Sequence, residues 1–175
     1  MSATAFPLDL LRRYDRPGPR YTSYPTAPQF SSGFGPAQLA DAARTSNGDP
    51  IPSRLSLYVH VPFCTSPCFY CGCNRVITRD RSRSEPYRAR LGREIGMIAG
   101  LFDPDREVVQ LHFGGGTPNF LTPAQLRATV QDLRDHFRFS RDADRDISIE
   151  LDPRELTSDD IAELAAAGFN RASLG

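Results

Sequence analysis

Residues Leu55-Ser-Leu-Tyr-Val-His-Val61 run directly into Pro62-Phe63-Cys64-Thr-Ser-Pro-Cys68-Phe-Tyr-Cys71-Gly-Cys73. The first seven alternate strictly, which is the period of a strand with two unlike faces. Leu55, Leu57, Val59 and Val61 fall on one side, and Ser56, Tyr58 and His60 on the other. Two later stretches repeat the pattern. In residues 108–113, Val109, Leu111 and Phe113 oppose Gln110 and His112; in residues 146–152, Ile147, Ile149 and Leu151 oppose Ser148, Glu150 and Asp152. The first strand leads into the cysteines and the second into Gly114-Gly-Gly-Thr-Pro118.

Helical periods lie between these strands. Tyr87, Leu91, Ile95 and Ile98 recur at helical spacing, as do Leu126, Val130, Leu133 and Phe137. The second helix has a marked start: Thr122 as N-cap, Pro123 at the first position and Gln125 as capping-box partner. A third helix over Ser158–Ala167 is stopped by Gly168, and residues 171–174 begin a fourth strand. Strand alternating with helix predicts an α/β fold, a parallel sheet with right-handed crossovers. Parallel strands are ordinarily apolar on both faces, so three strands with a polar face are unusual. The polar set suits an open barrel whose inner surface lines a ligand cavity, with helices on the outer face. Tyr58, His60, His112 and Glu150 are therefore expected on one shared concave surface beneath the cysteine loop. The chain stops at Gly175, in or at the end of a strand, which predicts a piece of a longer protein.

The first fifty residues read differently. Arg16-Pro-Gly-Pro-Arg-Tyr-Thr-Ser-Tyr-Pro25, Pro28, Pro36 and Pro50 predict an extended arm, because each proline discourages helix just before it. One short helix is expected near 36–44, with Tyr21, Tyr24 and Phe30 burying their rings to anchor the arm. The expected division is an arm over 1–50 and a truncated barrel over 51–175.

Composition narrows the function. The 21 basic and 21 acidic residues cancel, which gives no electrostatic reason to expect nucleic acid or an anionic membrane. All 21 basic residues are arginine, which excludes a P-loop or a Schiff-base lysine. No run approaches the roughly 18 apolar residues of a membrane span, and Met1 to Arg13 does not read as a secretion signal, with no basic start and no long apolar stretch. A cytoplasmic protein is expected. The four cysteines lie within ten residues, Cys64 to Cys73. A disulfide scaffold would spread them, so this crowding points to metal. Zinc sites ordinarily draw cysteine pairs from two separate knuckles. A single loop with C-x3-C-x2-C spacing better suits one [4Fe–4S] cluster with three thiolate ligands and one open iron. A four-cysteine zinc site is the competing reading.

The C-x3-C-x2-C loop, with Tyr70 before its third cysteine, resembles the radical S-adenosylmethionine (SAM) signature. Cys71-Gly-Cys73-Asn74, Gly18-Pro-Arg-Tyr-Thr-Ser-Tyr-Pro25, Tyr58-Val-His-Val-Pro-Phe63, Gly114-Gly-Gly-Thr-Pro118 and Ser148-Ile-Glu-Leu-Asp-Pro-Arg-Glu155 resemble the oxygen-independent coproporphyrinogen III oxidases. The resemblance implies the first half of a partial (β/α)6 barrel with helices on the outer face. It implies a [4Fe–4S] cluster on Cys64, Cys68 and Cys71, and SAM bound by Tyr58, Tyr70, Gly115, Gly116, Thr117 and Glu150. It further implies a 5′-deoxyadenosyl radical that takes hydrogen from a propionate of coproporphyrinogen III. Loss of carbon dioxide then leaves a vinyl group, on the way to protoporphyrinogen IX in haem biosynthesis. The partners implied are that substrate and an electron donor such as a flavodoxin or ferredoxin, with the protein a monomer.

Each residue also has a structural reading. Glu150 could pair with an arginine such as Arg171, Tyr58 could be core, Tyr70 could be an aromatic lid on the cluster, and Cys73 could be an inert packed thiol. His60 and His112 are more often satisfied core histidines than bases. Three other functions stay open: a haem-binding radical SAM paralogue without oxidase activity, a non-catalytic metal-binding module (with zinc, for example) and an inactive truncated metal-binding remnant. The arm motif and Cys71-Gly-Cys73 favour the oxidase.

Overall fold

A computed structural model describes residues 8–14, 27–69 and 71–175. The elements, in chain order, are α1 (Leu8–Tyr14), α2 (Pro36–Asn47), β1 (Leu55–Val61), β2 (Phe63–Cys64), β3 (Val76–Ile77), α3 (Ser84–Ala99), β4 (Glu107–Gly115), α4 (Pro123–His136), β5 (Arg138–Phe139), β6 (Asp146–Leu151), α5 (Ser158–Ala167) and β7 (Arg171–Leu174). Short 3-10 turns follow β4 (Pro118–Phe120) and β6 (Pro153–Glu155). The described residues form two units, divided between Gln38 and Leu39.

In the first unit, the expected extended arm carries a second helix, α1. Asp9 in its first turn and Arg12 and Arg13 in its last complement the helix dipole. The expected anchor Phe30 is 70 % exposed, so its ring stabilises nothing by burial. Tyr21, Tyr24 and the whole Gly18–Pro25 motif lie outside the described residues. The division falls earlier than the composition change at residue 50 because the end of α2 is tied into the second unit. Buried Arg106 donates to the Ser53 carbonyl (2.6 Å), Ser46 Oγ (2.9 Å) and Asn47 Oδ1 (3.0 Å), and Asn47 Nδ2 donates to the Leu101 carbonyl (3.0 Å).

In the second unit, β1, β4, β6 and β7 pair in that order, all parallel, and β5 adds to the start of β4. A helix separates each successive pair of these four, so every connection is a crossover. Leu111, Phe113, Ile147, Ile149 and Val61 are no more than 2 % exposed, packed in one core with Ile95, Leu126, Val130, Leu133 and Leu164 of the helices. Full burial of such a side chain stabilises the fold by about 1.5–3 kcal/mol. Tyr87, Leu91 and Ile98 pack at the margin of this core rather than inside it. The α4 capping box forms as expected, and α5 ends on Gly168 at φ 105°.

The strand parity holds with one exception. Leu55 pairs with Val108 but Ser56 pairs with Gln110, so Val109 is the extra residue of a bulge. Val109, expected on the apolar face, is only half-buried, and Val108 takes its place at 1 % exposure. From Ser56 and Gln110 onward the two strands run in step to Val61 and Gly115. That register sets the strand ends side by side.

Candidate cofactor site at the strand ends

Three loops leave the same end of the sheet. The glycine loop is held by the protein itself. Gly116 N–H donates to the Val61 carbonyl and Thr117 N–H to the Phe63 carbonyl, both at 2.7 Å. Gly115 N–H donates to Glu150 Oε2 at 3.2 Å. These three amides are spent inside the protein, so a ligand at this loop has none of them to meet. Gly115 lies at φ 111°, where a side chain is strained, and a Cβ there would stand 2.7 Å from the His60 ring. A Cβ on Gly116 would stand 2.6 Å from the Phe63 carbonyl and 2.9 Å from Cys64 Sγ. The glycines thus let the second loop lie directly against the root of the cysteine loop. Asn119 then joins the third loop, donating to the Asp152 carbonyl (3.0 Å) and accepting from Asp152 N–H (2.9 Å).

The cysteine loop is held mainly at its two ends. Val76 N–H donates to the Pro62 carbonyl (2.7 Å) and Thr78 N–H to the Cys64 carbonyl (2.9 Å), forming the small β2–β3 pair. Thr65 Oγ1 donates to Glu155 Oε1 at 3.2 Å, and Arg81 bridges the same carboxylate. Between the ends, Cys64 is buried, Cys71 half-buried, and Cys68 and Cys73 exposed; none is in a disulfide. The Cys73 backbone N–H holds the Cys71 thiol below its ordinary value, whereas burial, the neighbouring Cys71 thiol and Glu150 push Cys73 up. Among the described residues no three His, Cys, Asp or Glu side chains stand gathered as ligands to one ion. The donors are nevertheless of the kind an iron–sulfur cluster takes: free thiols on one loop, one of them with its pKa lowered. Tyr70 lies outside the described residues.

Beneath this loop the polar faces of β1, β4 and β6 converge. The Tyr58 ring stacks on His112 at 5.8 Å between centroids, and Tyr58 Oη lies 3.3 Å from His60 Nδ1. His60 Nε2 reaches the Asn74 carbonyl (2.8 Å), tying the strand face to the far side of the cysteine loop. His112 Nε2 lies 3.4 Å from Glu150 Oε1. Tyr58, His60, His112 and Glu150 therefore share one surface, as the parity predicts. Tyr58 is 58 % exposed, which removes the core reading for its ring. Burial, then the charges of Glu150 and Cys73, raise its pKa. Arg171 does not meet Glu150; it pairs with Asp146 at 2.6 Å.

The sequence pattern of the radical SAM superfamily matches residues 58–175. The chain belongs to the radical SAM superfamily. Its likeness extends to particular members. It is 53 % identical over 167 residues to the oxygen-independent coproporphyrinogen III oxidase of Pseudomonas aeruginosa, covering 95 % of this chain and 36 % of that protein. It is 46 % identical over 153 residues to the protein of that name from Mannheimia haemolytica, covering 87 % of this chain and all of that one. The solved structure of the Escherichia coli coproporphyrinogen III oxidase, a radical SAM enzyme, superimposes with a TM-score of 0.78 at 45 % identity, over 95 % of this chain and 35 % of that one. The chain spans about a third of the length of the Pseudomonas aeruginosa, Salmonella typhimurium and Escherichia coli relatives it matches. The radical SAM fold agrees with the all-parallel sheet, its outer helices and its polar inner face. Sequence reading assigns His60, His112, Gly114, Ser148 and Asn74 no cofactor role, although strand parity puts His60, His112 and Ser148 on the polar face and Gly114, Ser148 and Asn74 lie in the quoted motifs.

Proposed function

We propose that this chain is the cofactor-binding part of an oxygen-independent coproporphyrinogen III oxidase, working in porphyrin and haem biosynthesis. The observation that carries the proposal is the 53 % identity, over 95 % of the chain, to a protein of that name. The merged polar face under the loop that carries all four cysteines supports it.

In this reading Cys64, Cys68 and Cys71 hold a [4Fe–4S] cluster. Tyr58, Tyr70, Gly115, Gly116, Thr117 and Glu150 form the SAM pocket. When bound, the cluster and SAM supply one-electron cleavage of a carbon–sulfur bond and hence hydrogen abstraction. The chain's own residues bind and orient. Glu150 offers a carboxylate, nearly half of it exposed, to a cationic amine. Tyr58 offers an open ring face beside it, and Gly115 and Gly116 hold the strand end against the cysteine loop. Coproporphyrinogen III is the substrate and a flavodoxin or ferredoxin the electron donor. The protein is a cytoplasmic monomer without a nucleic-acid or membrane partner. Among the described residues, no helix is long and apolar enough to cross a membrane.

The full-length protein, reconstituted anaerobically with iron and sulfide, should convert coproporphyrinogen III to protoporphyrinogen IX with consumption of SAM. Stoichiometric haem binding without vinyl products would instead identify a haem-carrying paralogue.

A further inference from the structure

One side chain on the shared surface has no assigned part, yet its hydrogen bonds leave it little freedom. His112 lies in the middle strand of the sheet, between Tyr58 of β1 and Glu150 of β6. Its Nδ1 is 2.8 Å from Ser148 Oγ and its Nε2 is 3.4 Å from Glu150 Oε1. A neutral imidazole has one donor nitrogen and one acceptor nitrogen, and an ionised carboxylate only accepts. A hydrogen bond across that 3.4 Å contact therefore needs the proton on Nε2, facing Glu150. A serine hydroxyl can give or take, so Ser148 meets Nδ1 in either role. If Ser148 Oγ donates to Nδ1 at 2.8 Å, it gives up its longer approach to the Leu111 carbonyl at 3.4 Å. Doubly protonated His112 would still present N–H to Glu150. The Nε2–H tautomer and the doubly protonated ring thus give the same donor to the same carboxylate.

The other Glu150 oxygen is also held. Oε2 accepts from Gly115 N–H at 3.2 Å. A carboxylate pinned by one donor at each oxygen has a set direction, and its remaining lone pairs face the open side. Gly114 makes the arrangement possible. A Cβ there would meet His112 Nε2 at 3.0 Å, Glu150 Oε2 at 3.1 Å and Tyr58 Cε2 at 3.1 Å simultaneously. The three side chains close over bare backbone.

We propose that His112 is a positioning residue for cofactor recognition. It orients Glu150 through an Nε2–H donor, with Ser148 setting the ring and Tyr58 stacked against it. This rests on the reading that Glu150 contacts SAM. A histidine that merely fills space would be replaced well by phenylalanine. A positioning histidine would be replaced better by glutamine, whose amide N–H reaches about as far as Nε2.

The test is SAM binding by equilibrium dialysis to the full-length, anaerobically reconstituted protein, with iron content measured alongside. His112→Phe should bind SAM about tenfold more weakly at unchanged iron content, as expected for losing a hydrogen bond to a charged group. His112→Gln should stay within about threefold of the parent. Should His112→Phe fail to load iron, His112→Asn carries the same expectation, because its shorter amide reaches Ser148 but not Glu150. Glu150→Gln separates the two ideas. If Glu150→Gln loses SAM and His112→Phe does not, the positioning proposal is wrong and the Glu150 reading stands. If Glu150→Gln also leaves SAM affinity intact, the reading of Glu150 falls and the positioning proposal with it.

Discussion

The glycine loop and the cysteine loop lie side by side and are built on opposite principles. The glycine loop, Gly114 to Pro118, spends the amides of Gly115, Gly116 and Thr117 on Glu150, Val61 and Phe63, and runs into a buried turn at Pro118–Phe120. The cysteine loop is fastened at Cys64 and Val76, but its middle exposes Cys68, Phe69 and Cys73, and its one backbone–backbone contact among the described residues runs from Cys71 N–H to the Cys68 carbonyl at 3.4 Å. One loop is shaped by the protein before any ligand arrives. The other carries donors whose arrangement a metal would complete, since metal binding and local folding are coupled. In the proposed function, pre-organisation falls where SAM would be oriented and is left open where metal–sulfur bonds would supply the order themselves.

This contrast breaks most easily at the cysteines. Cys64→Ala, Cys68→Ala or Cys71→Ala should abolish the [4Fe–4S]⁺ EPR signal of the reduced, reconstituted protein. Cys73→Ala should keep both the signal and its change on adding SAM. Because Cys68 is exposed, Cys68→Ala should shift the stability of the metal-free protein by no more than about 0.5 kcal/mol. Iron loss from Cys73→Ala equal to the others would overturn the ligand assignment.

The complementary change is in the glycine loop. In Gly116→Ala the new methyl meets a backbone carbonyl at 2.6 Å, which cannot swing aside. The metal-free protein should lose about 1–3 kcal/mol in chemical denaturation, the usual cost of overpacking. An unchanged unfolding midpoint would show that the loop is softer than its hydrogen bonds imply.

A smaller effect tests the support beneath both loops. Tyr87 Oη donates to the His60 carbonyl at 2.9 Å, and burial, then Glu94 and Tyr58, push its pKa to about 12. The neutral phenol is favoured in the folded state, so its contribution is complete below the unfolded value of about 10. It is lost as pH rises from there through the folded value. Tyr87→Phe should cost about 1 kcal/mol at neutral pH. It should also flatten the alkaline limb of stability above about pH 10. A variant with the same alkaline limb as the parent would place that titration elsewhere.

Much of this was legible in the residues themselves. The spans of β1, β6 and β7, the capping box at Thr122 and Gln125, and the stop at Gly168 depend on side-chain period and on caps a few residues long. Such signals are local and survive without knowledge of the partner strand. Helix α1 escaped because the prolines around it dominate that stretch, and no long apolar period marks seven residues. Phe30 was expected to be buried on ring size alone, which says nothing about whether a surface exists to receive it.

What the sequence alone determined was the α/β rhythm, the two unlike faces of each strand, and the spacing of three thiols that one metal cluster can use. Those properties are carried by covalent order and by the alternation of the backbone. What only the tertiary structure decided was which polar groups meet. The bulge at Val109 sets the register that lines up His112 with Tyr58, and the β4–β6 register brings Glu150, 38 residues away, to His112. Arg171 goes to Asp146 instead, and Asn119 clasps Asp152. These contacts depend on how neighbouring strands slide past one another, and hydrogen-bond partners chosen by register leave no trace in either strand read separately.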